Sequence, residues 1–317
     1  MRAAVLTKPK QFEIATIDRR EPGPNEVLIR TEGCGVCGSN LTPWLGRDWF
    51  HYPFEPGAPG HEGWGLVEQV GEHVTTLLPG SRVTFLSSHA FGEFDVADEN
   101  ALVRLPEVLA EKPFPGEAIG CAFNVFRRSD IHPGQTVAVV GVGFLGAILV
   151  ALTAAAGAHV VGIGRRPFAL ELARHYGARE TILMEDHARV VERVKTITGG
   201  AGCDRVIEAA GAQWPLDLAS DLARERGKLI IAGYHQDGPR QVNMQLWNWR
   251  GLDVINAHER EPAVYARGMR EAVDAVATGA FDPTPLYTHK VPLDGVGDAF
   301  DAMQRREGEF MKALVML

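Results

Sequence analysis

The sequence predicts an α/β protein in which a β-rich domain is joined to a doubly wound parallel sheet, and three observations carry that expectation. From about residue 136, short apolar runs alternate with helical patterns of roughly 10–15 residues, the rhythm of parallel strands linked by crossover helices. A glycine turn, GVGFLG at 141–146, stands between the first such run and the first such helix. Residues 1 to about 100 read instead as short strands broken by Gly and Pro, among them EVLIRTEGCG, EGWGLVEQVG and SRVTFLSS.

Taken in order, MRAAVLTKPKQFEI alternates as a first strand, and helical signals stay sparse until about residue 117. TVAVV (136–140) is the first buried strand, followed by the glycine turn and a small-residue helix to about Ala156. HVVGIG is the next strand, and PFALELARHYGA is an amphipathic helix with Pro167 in its first turn and Gly177 at its end. The alternation continues through TILM, a helix around 187–197, DRVIEAAG, a helix around 214–225, KLIIAGY and LDVINA. From about residue 258 come the helix PAVYARGMREAVDAVATG, a short strand, the helix GVGDAFDAMQRR and a terminal strand FMKALVML. That tail breaks the strand–helix rhythm. The β-rich domain is therefore expected to be discontinuous, residues 1–123 and 258–317, flanking a nucleotide-type domain at 124–257.

Composition bounds the function. At roughly 150 residues per domain, 317 residues fit two domains, and 45% hydrophobic with 23% charged residues is an ordinary globular balance. The net charge of -8 offers no footprint for nucleic acid. Four cysteines, Cys34, Cys37, Cys121 and Cys203, are too few and too scattered for a disulfide scaffold, so a reducing, cytoplasmic setting is expected. The longest apolar stretch, AILVALTAAAGAHVVGIG, is interrupted by Thr, His and Gly and followed by Arg165 and Arg166; it reads as a buried helix and strand, with no membrane partner. Glycine, at 35 residues, is in excess and predicts tight turns and close backbone approaches.

In GVGFLG, Gly141 suits the tight turn, Gly143 leaves room for a pyrophosphate, and Gly146 lets the helix pack closely. Phe144 and Leu145 open the helix, whose N-terminus favours phosphate charge. A dinucleotide is the expected ligand. At the end of the next strand, where an NAD site normally offers a carboxylate, the chain has Gly164 followed by Arg165 and Arg166. Without carboxylate repulsion, and with guanidinium groups suited to phosphate, NADP(H) is favoured over NAD(H).

Three earlier segments are rich in metal-capable groups: GCGVCGSN (33–40), PGHEGWG (59–65) and GEAIGCAFN (116–124). Cys34 and Cys37 form the only C-x2-C pair, which excludes a closed four-cysteine site. His61 and Glu62 stand together at a glycine-flanked bend, and Glu117 and Cys121 are one helical turn apart, on a shared face.

Those motifs, together with GEAIGCAFNVFRRSDIHPGQTVAVVGVGFLG and the tail PLYTHKVPLDGVGDAFDAMQRREGEFMKALVML, resemble the zinc-dependent medium-chain alcohol dehydrogenase family over essentially the whole chain. The polyol and threonine dehydrogenase-like branch is the nearest in pattern. The resemblance implies a GroES-like catalytic domain, a Rossmann nucleotide-binding domain and one catalytic zinc ion per chain. It gives Cys37 and His61 to the metal, Glu62 as ligand or near-ligand, and Glu117 as the further ligand, with Cys121 as the alternative; Cys34 is left as packing. Catalytic roles fall to Cys37, Ser39, His61 and Glu62, with Ser39 beginning a proton path. Gly233 and Tyr234 are placed beside the nicotinamide and Lys312 at the cofactor. The chain also departs from the family. SRVTFLSS runs directly into HAFGEFDVADENALV, without the four-cysteine lobe that holds a structural zinc, which widens access near His89. Asn40 replaces the usual aspartate after CGS, and Thr42 replaces a common histidine.

The implied activity is hydride transfer between a nicotinamide cofactor and an alcohol/ketone pair. Polar Asn40, Thr42, Asn124 and Glu259 lean toward a polyol or other hydroxylated small molecule. Trp44, Trp49, His51, His89 and NAHE (256–259) are open to two readings, as substrate lining or as packing and subunit contacts. A homodimer or homotetramer is implied, with LDVINA as a candidate pairing edge. Two other functions compete: a zinc-free quinone or enone reductase, and a non-catalytic NADPH-binding regulatory or structural protein.

Overall fold

A computed structural model describes all of residues 1–317. The first half runs β1 (Arg2–Lys8), β2 (Gln11–Thr16), β3 (Glu26–Gly35), α1 (Leu41–Leu45), β4 (Glu62–Val70), β5 (Arg82–Phe85), β6 (Phe94–Asp98), β7 (Leu102–Arg104) and α2 (Gly116–Ser129). The alternating region follows: β8 (Thr136–Val140), α3 (Phe144–Ala155), β9 (His159–Gly164), α4 (Pro167–His175), β10 (Glu180–Leu183), α5 (His187–Ile197), β11 (Cys203–Glu208), α6 (Gln213–Leu222), β12 (Ala223–Ile231), α7 (Met244–Arg250) and β13 (Asp253–Asn256). The tail holds α8 (Pro262–Ala277), β14 (His289–Pro292), α9 (Val296–Arg305) and β15 (Ala313–Met316). The chain forms two compact units, Met1–Cys121 with Arg260–Leu317, and Ala122–Glu259.

The first unit is built on a sheet ordered β14-β15-β3-β4-β5-β7, with β1 and β2 as a separate hairpin. β3 gives one edge to β4 and divides the other between β6 and β15. The C-terminal strand β15 thus joins the sheet beside β3, some 280 residues earlier in the chain. The fully buried Val27, Ile29, Val83, Phe85, Phe91 and Val315 fill its core. Trp44, on the short α1, lies in this core, its ring 5.7 Å from Phe12 and 5.1 Å from Phe300. Trp44, open to two readings in the sequence, is thus enclosed in packing, where truncating an indole to alanine costs about 3–5 kcal/mol.

The second unit is a six-stranded sheet ordered β10-β9-β8-β11-β12-β13, parallel throughout. Val137, Ala138, Val139 and Val140 of β8 have no exposed surface, as expected for a central strand covered on both faces. The strand order reverses between β8 and β11, and the turn after β8 carries GVGFLG. Two details differ from the sequence reading. α6 stops at Leu222, and β12 begins at Ala223, ahead of the apolar KLII. Ala223 pairs with Cys203 before the register shifts to Arg205–Lys228; the intervening residues bulge through Arg226, at φ 54°. Helix α7 went unforeseen. MQLWNWR has no apolar periodicity, and the helix depends on its ends: Asn243 accepts from Leu246 N at 3.0 Å, and left-handed Gly251 closes it.

Candidate functional site

In the first unit, three segments bring their donors together. Cys37 follows β3 and caps the turn Gly38–Asn40. His61 immediately precedes β4, and Glu62 is the first residue of that strand, opposite Gly35 in the β3–β4 ladder. The Cys37 sulfur, a His61 ring nitrogen and a Glu62 oxygen all lie within 4.8 Å of one another. Glu117 and Cys121 lie one turn apart on α2, where the Cys121 thiol donates to Glu117 Oε1 at 3.1 Å.

The surroundings set the state of each group. His61 Nδ1 donates to the Pro59 carbonyl at 3.0 Å, which leaves Nε2 as the nitrogen for a ligand. The same carbonyl accepts from Asn40 Nδ2 at 3.0 Å, so the buried Asn40 ties the Cys37 turn to the His61 bend. Ser39 Oγ donates to the Cys37 sulfur at 3.2 Å. Glu62 is enclosed and ion-paired to Lys312, whose Nζ lies 2.6 Å from Oε1 and 2.5 Å from Oε2. A Cβ at position 35 would come within 1.9 Å of Glu62 Oε2, so any larger residue there would displace the Glu62 carboxylate.

Burial opposes a charge on His61, yet Cys37 and the carboxylates of Glu117 and Glu62 outweigh it and lift the imidazole to about 10. Burial pushes Glu117 above the usual carboxylate range, only partly countered by His61. Burial and the neighbouring Glu117 hold Cys121 well above a free thiol. Four acidic side chains, Cys37, Glu62, Glu117 and Cys121, thus crowd around two bases, His61 and Lys312. A thiolate, an imidazole with its second nitrogen anchored and carboxylates in a pocket short of positive charge are a donor set that fits a divalent zinc ion.

Cys34 is fully buried and donates to its neighbour's carbonyl, with burial raising its thiol well above the ordinary value. Lys312, expected at the cofactor, is fully enclosed with its ammonium engaged by Glu62; a lysine inside the apolar FMKALVML requires such a partner. The pairing joins residues 250 positions apart, and the only sequence signal for it is that lone lysine. Asn40's hold on Pro59 was likewise not foreseen. Trp49 and His51 are exposed, and His89 pairs with Glu55 at 3.0 Å. Asn124, in the second unit, is buried and accepts from Arg127 at 3.0 Å.

In the second unit, Gly141 takes φ 103°, and Gly146 backs onto it so tightly that a Cβ would meet Gly141 O at 2.0 Å. Gly143, by contrast, faces open space, the cradle a pyrophosphate needs. It caps α3 without a side-chain hydrogen bond, leaving the helix N-terminus to backbone donors. Gly164 ends β9, Arg165 is exposed and Arg166 caps α4. Gly233 is closed in by Gly211 and Glu208, and the half-exposed Tyr234 ring lies 4.7 Å from that of His258.

Two families match the chain, the alcohol dehydrogenase GroES-like domain over residues 23–107 and the zinc-binding dehydrogenase over residues 145–275. Between them they take in most of both units. The chain belongs to the zinc-type medium-chain alcohol dehydrogenase family. Sorbitol dehydrogenase of Bacillus subtilis strain 168 is 26% identical across 99% of this chain and 97% of its own. The crystal structure of Bacillus subtilis 2R,3R-butanediol dehydrogenase shares the fold at a TM-score of 0.86 and 24% identity, over 100% of this chain and 99% of that one. A structure from Sinorhizobium meliloti 1021 bound to NADP aligns at a TM-score of 0.84 and 25% identity, over 100% and 99%.

Proposed function

We propose that this family member is a zinc-dependent oxidoreductase that uses NADP(H) in preference to NAD(H) to interconvert a hydroxylated small molecule, such as a polyol, and its carbonyl counterpart. The observation that carries the reading is the convergence of Cys37, His61 and Glu62 donor atoms within 4.8 Å, beside the Glu117–Cys121 pair.

Cys37, His61 and Glu117 would hold one zinc ion per chain. Cys121, hydrogen-bonded to Glu117, is the alternative ligand, and Glu62 is drawn back by Lys312. Bound there, zinc polarises an alcohol or carbonyl oxygen and eases loss of the hydroxyl proton. Ser39 Oγ, two residues from Cys37, would relay that proton, accepting it while passing its own on to the cofactor's ribose hydroxyls and water, and Asn40 and Pro59 would fix the orientation of His61. The Gly141–Gly146 turn, with Phe144 and Leu145, would bind the pyrophosphate. Arg165 and Arg166 would receive the 2′-phosphate, and Gly233 and Tyr234 would border the nicotinamide that exchanges hydride with substrate. A hydroxylated substrate is supported by the similarity to a sorbitol dehydrogenase. Intact metal donors argue against the zinc-free reductase and the non-catalytic regulator.

We also propose a homodimer or homotetramer formed through β13, an edge strand with exposed Val254, near exposed Met244 and Trp249. Four unpaired cysteines fit a reducing cytoplasm, and no helix is long and apolar enough to cross a membrane.

The test is a panel of polyols, simple alcohols and their ketones assayed with each cofactor, on the wild type and on Arg165→Ala/Arg166→Ala. Turnover of hydroxylated substrates with NADPH or NADP+, and a KM for that cofactor raised at least tenfold in the variant with little change for NAD(H), are expected. Activity on quinones alone, or equal use of both cofactors by both proteins, would sink the reading.

A further inference from the structure

A closed ring of hydrogen bonds lies at the carboxyl edge of the parallel sheet, outside the metal site and outside the glycine turn. Glu208, the last residue of β11, is completely buried. Its Oε1 accepts from the backbone N–H groups of Ala210 and Gly211, each at 2.8 Å. Its Oε2 lies 2.9 Å from His235 Nε2. On the other side of that imidazole, Arg240 Nε donates to His235 Nδ1 at 2.9 Å, and Arg240 Nη2 returns to the Gly211 carbonyl at 3.0 Å and to Asp237. Because the guanidinium only donates, His235 is fixed as the tautomer with its proton on Nε2, pointed at the carboxylate. Each atom in the ring has one role, and the buried charge of Glu208 is matched by three donors.

The ring touches both halves of the expected dinucleotide path. Gly141, the first glycine of the phosphate turn, rests against Ala210, where a Cβ would come within 2.9 Å of the Ala210 nitrogen. At the other end, Gly233 has no room for a side chain, with Gly211 N at 2.2 Å and Glu208 Oε2 at 2.6 Å from a Cβ placed there. In an open parallel sheet, the ligand lies outside the strand ends where the order reverses, here between β8 and β11. The end of β9, with Arg165 and Arg166, takes the adenosine side. The opposite half of the dinucleotide therefore lies over the ends of β11 and β12, the two strands that the ring ties together.

We propose that His235, clamped between Glu208 and Arg240, is a positioning residue for the nicotinamide half of the cofactor. It acts through the Gly211 and Gly233–Tyr234 backbones and makes no contact with the reacting atoms. The inference rests on the reading of this unit as dinucleotide-binding, and its test separates the two. Whichever of NADPH or NADH binds the wild type more tightly is titrated by fluorescence on the purified full-length protein, without substrate. The matching adenosine half, adenosine 2′,5′-bisphosphate or ADP, is titrated alongside.

His235→Leu is expected to weaken the whole dinucleotide by roughly tenfold, the scale of a charge-assisted hydrogen bond, and to leave the adenosine half within about twofold. His235→Gln, whose amide can both donate to Glu208 and accept from Arg240, is expected to recover most of the loss. Arg240→Met carries the same test from the outer side of the imidazole, should the leucine variant fail to fold. Unchanged dinucleotide affinity in the variants, or equal weakening of both ligands, would overturn the positioning role. A wild type that binds neither ligand would instead overturn the dinucleotide reading.

Discussion

His61 concentrates the chemistry of the proposed metal site in one side chain. In the metal-free protein its imidazole is lifted to about 10: burial works against the charge, but Cys37, Glu117 and Glu62 together prevail. Below that value the ring is protonated, so an incoming metal ion must displace the proton before Nε2 can serve as a donor. Zinc affinity of the stripped protein should fall as the pH falls, by about tenfold per pH unit for each proton displaced, between pH 8 and pH 6. Chelator-competition titrations at three pH values would show it, and an affinity flat across that range would contradict the assignment of His61. The neighbouring residues explain what spacing could and could not disclose. Cys37, His61 and Glu62 sit in short glycine-bounded motifs, legible because bends that aim a thiolate and an imidazole inward leave a compositional trace. Nothing along the chain signals that the Lys312 ammonium meets Glu62 over the intervening β3.

The phosphate turn is where an element divides stability from binding. Replacing a helical glycine by alanine ordinarily stabilises by about 0.5–1 kcal/mol. Gly146→Ala should do the reverse, because its Cβ would lie 2.0 Å from Gly141 O and force the turn off α3; both melting temperature and dinucleotide affinity are expected to drop. Gly143→Ala, at φ -98° and facing open space, should leave the melting temperature within a degree or two while weakening the dinucleotide at least tenfold. Thermal melts with and without NADPH measure both quantities. An unaffected affinity in Gly143→Ala would remove the pyrophosphate from this turn. The strands of this sheet were legible because burial on both faces leaves short continuous apolar runs, as in TVAVV and HVVGIG. Helix α7 was not, since a seven-residue helix held by Asn243 and Gly251 carries no periodic signal. The early start of β12 escaped for a related reason: the bulge at Arg226 separates Ala223 from the apolar residues that mark the strand.

For the whole molecule, β13 is an uncapped edge of a six-stranded sheet, with Val254 exposed and Trp249 86% exposed nearby. Unpaired strand edges beside exposed apolar side chains favour pairing with a second copy. Val254→Lys and Trp249→Glu should each shift the protein toward monomer in light scattering after gel filtration, at micromolar concentration; a monomeric wild type would refute the proposed assembly. The glycine excess that marked the composition is distributed by function. Gly35 makes room for Glu62, Gly141 and Gly146 shape the phosphate turn, and Gly233 closes on Glu208. Under the proposed reading, one unit would hold the metal and the other the dinucleotide. The claim that joins them is zinc-dependent hydride transfer, and metal removal tests it most directly. Zinc content and alcohol-dependent reduction of NADP+ would be measured on the purified protein before chelation, after chelation and after zinc is restored, with Cys37→Ser in parallel. The account predicts about one zinc per chain, loss of turnover on stripping, recovery with zinc, and no recovery in Cys37→Ser. Turnover that persists undiminished in the stripped protein would contradict it.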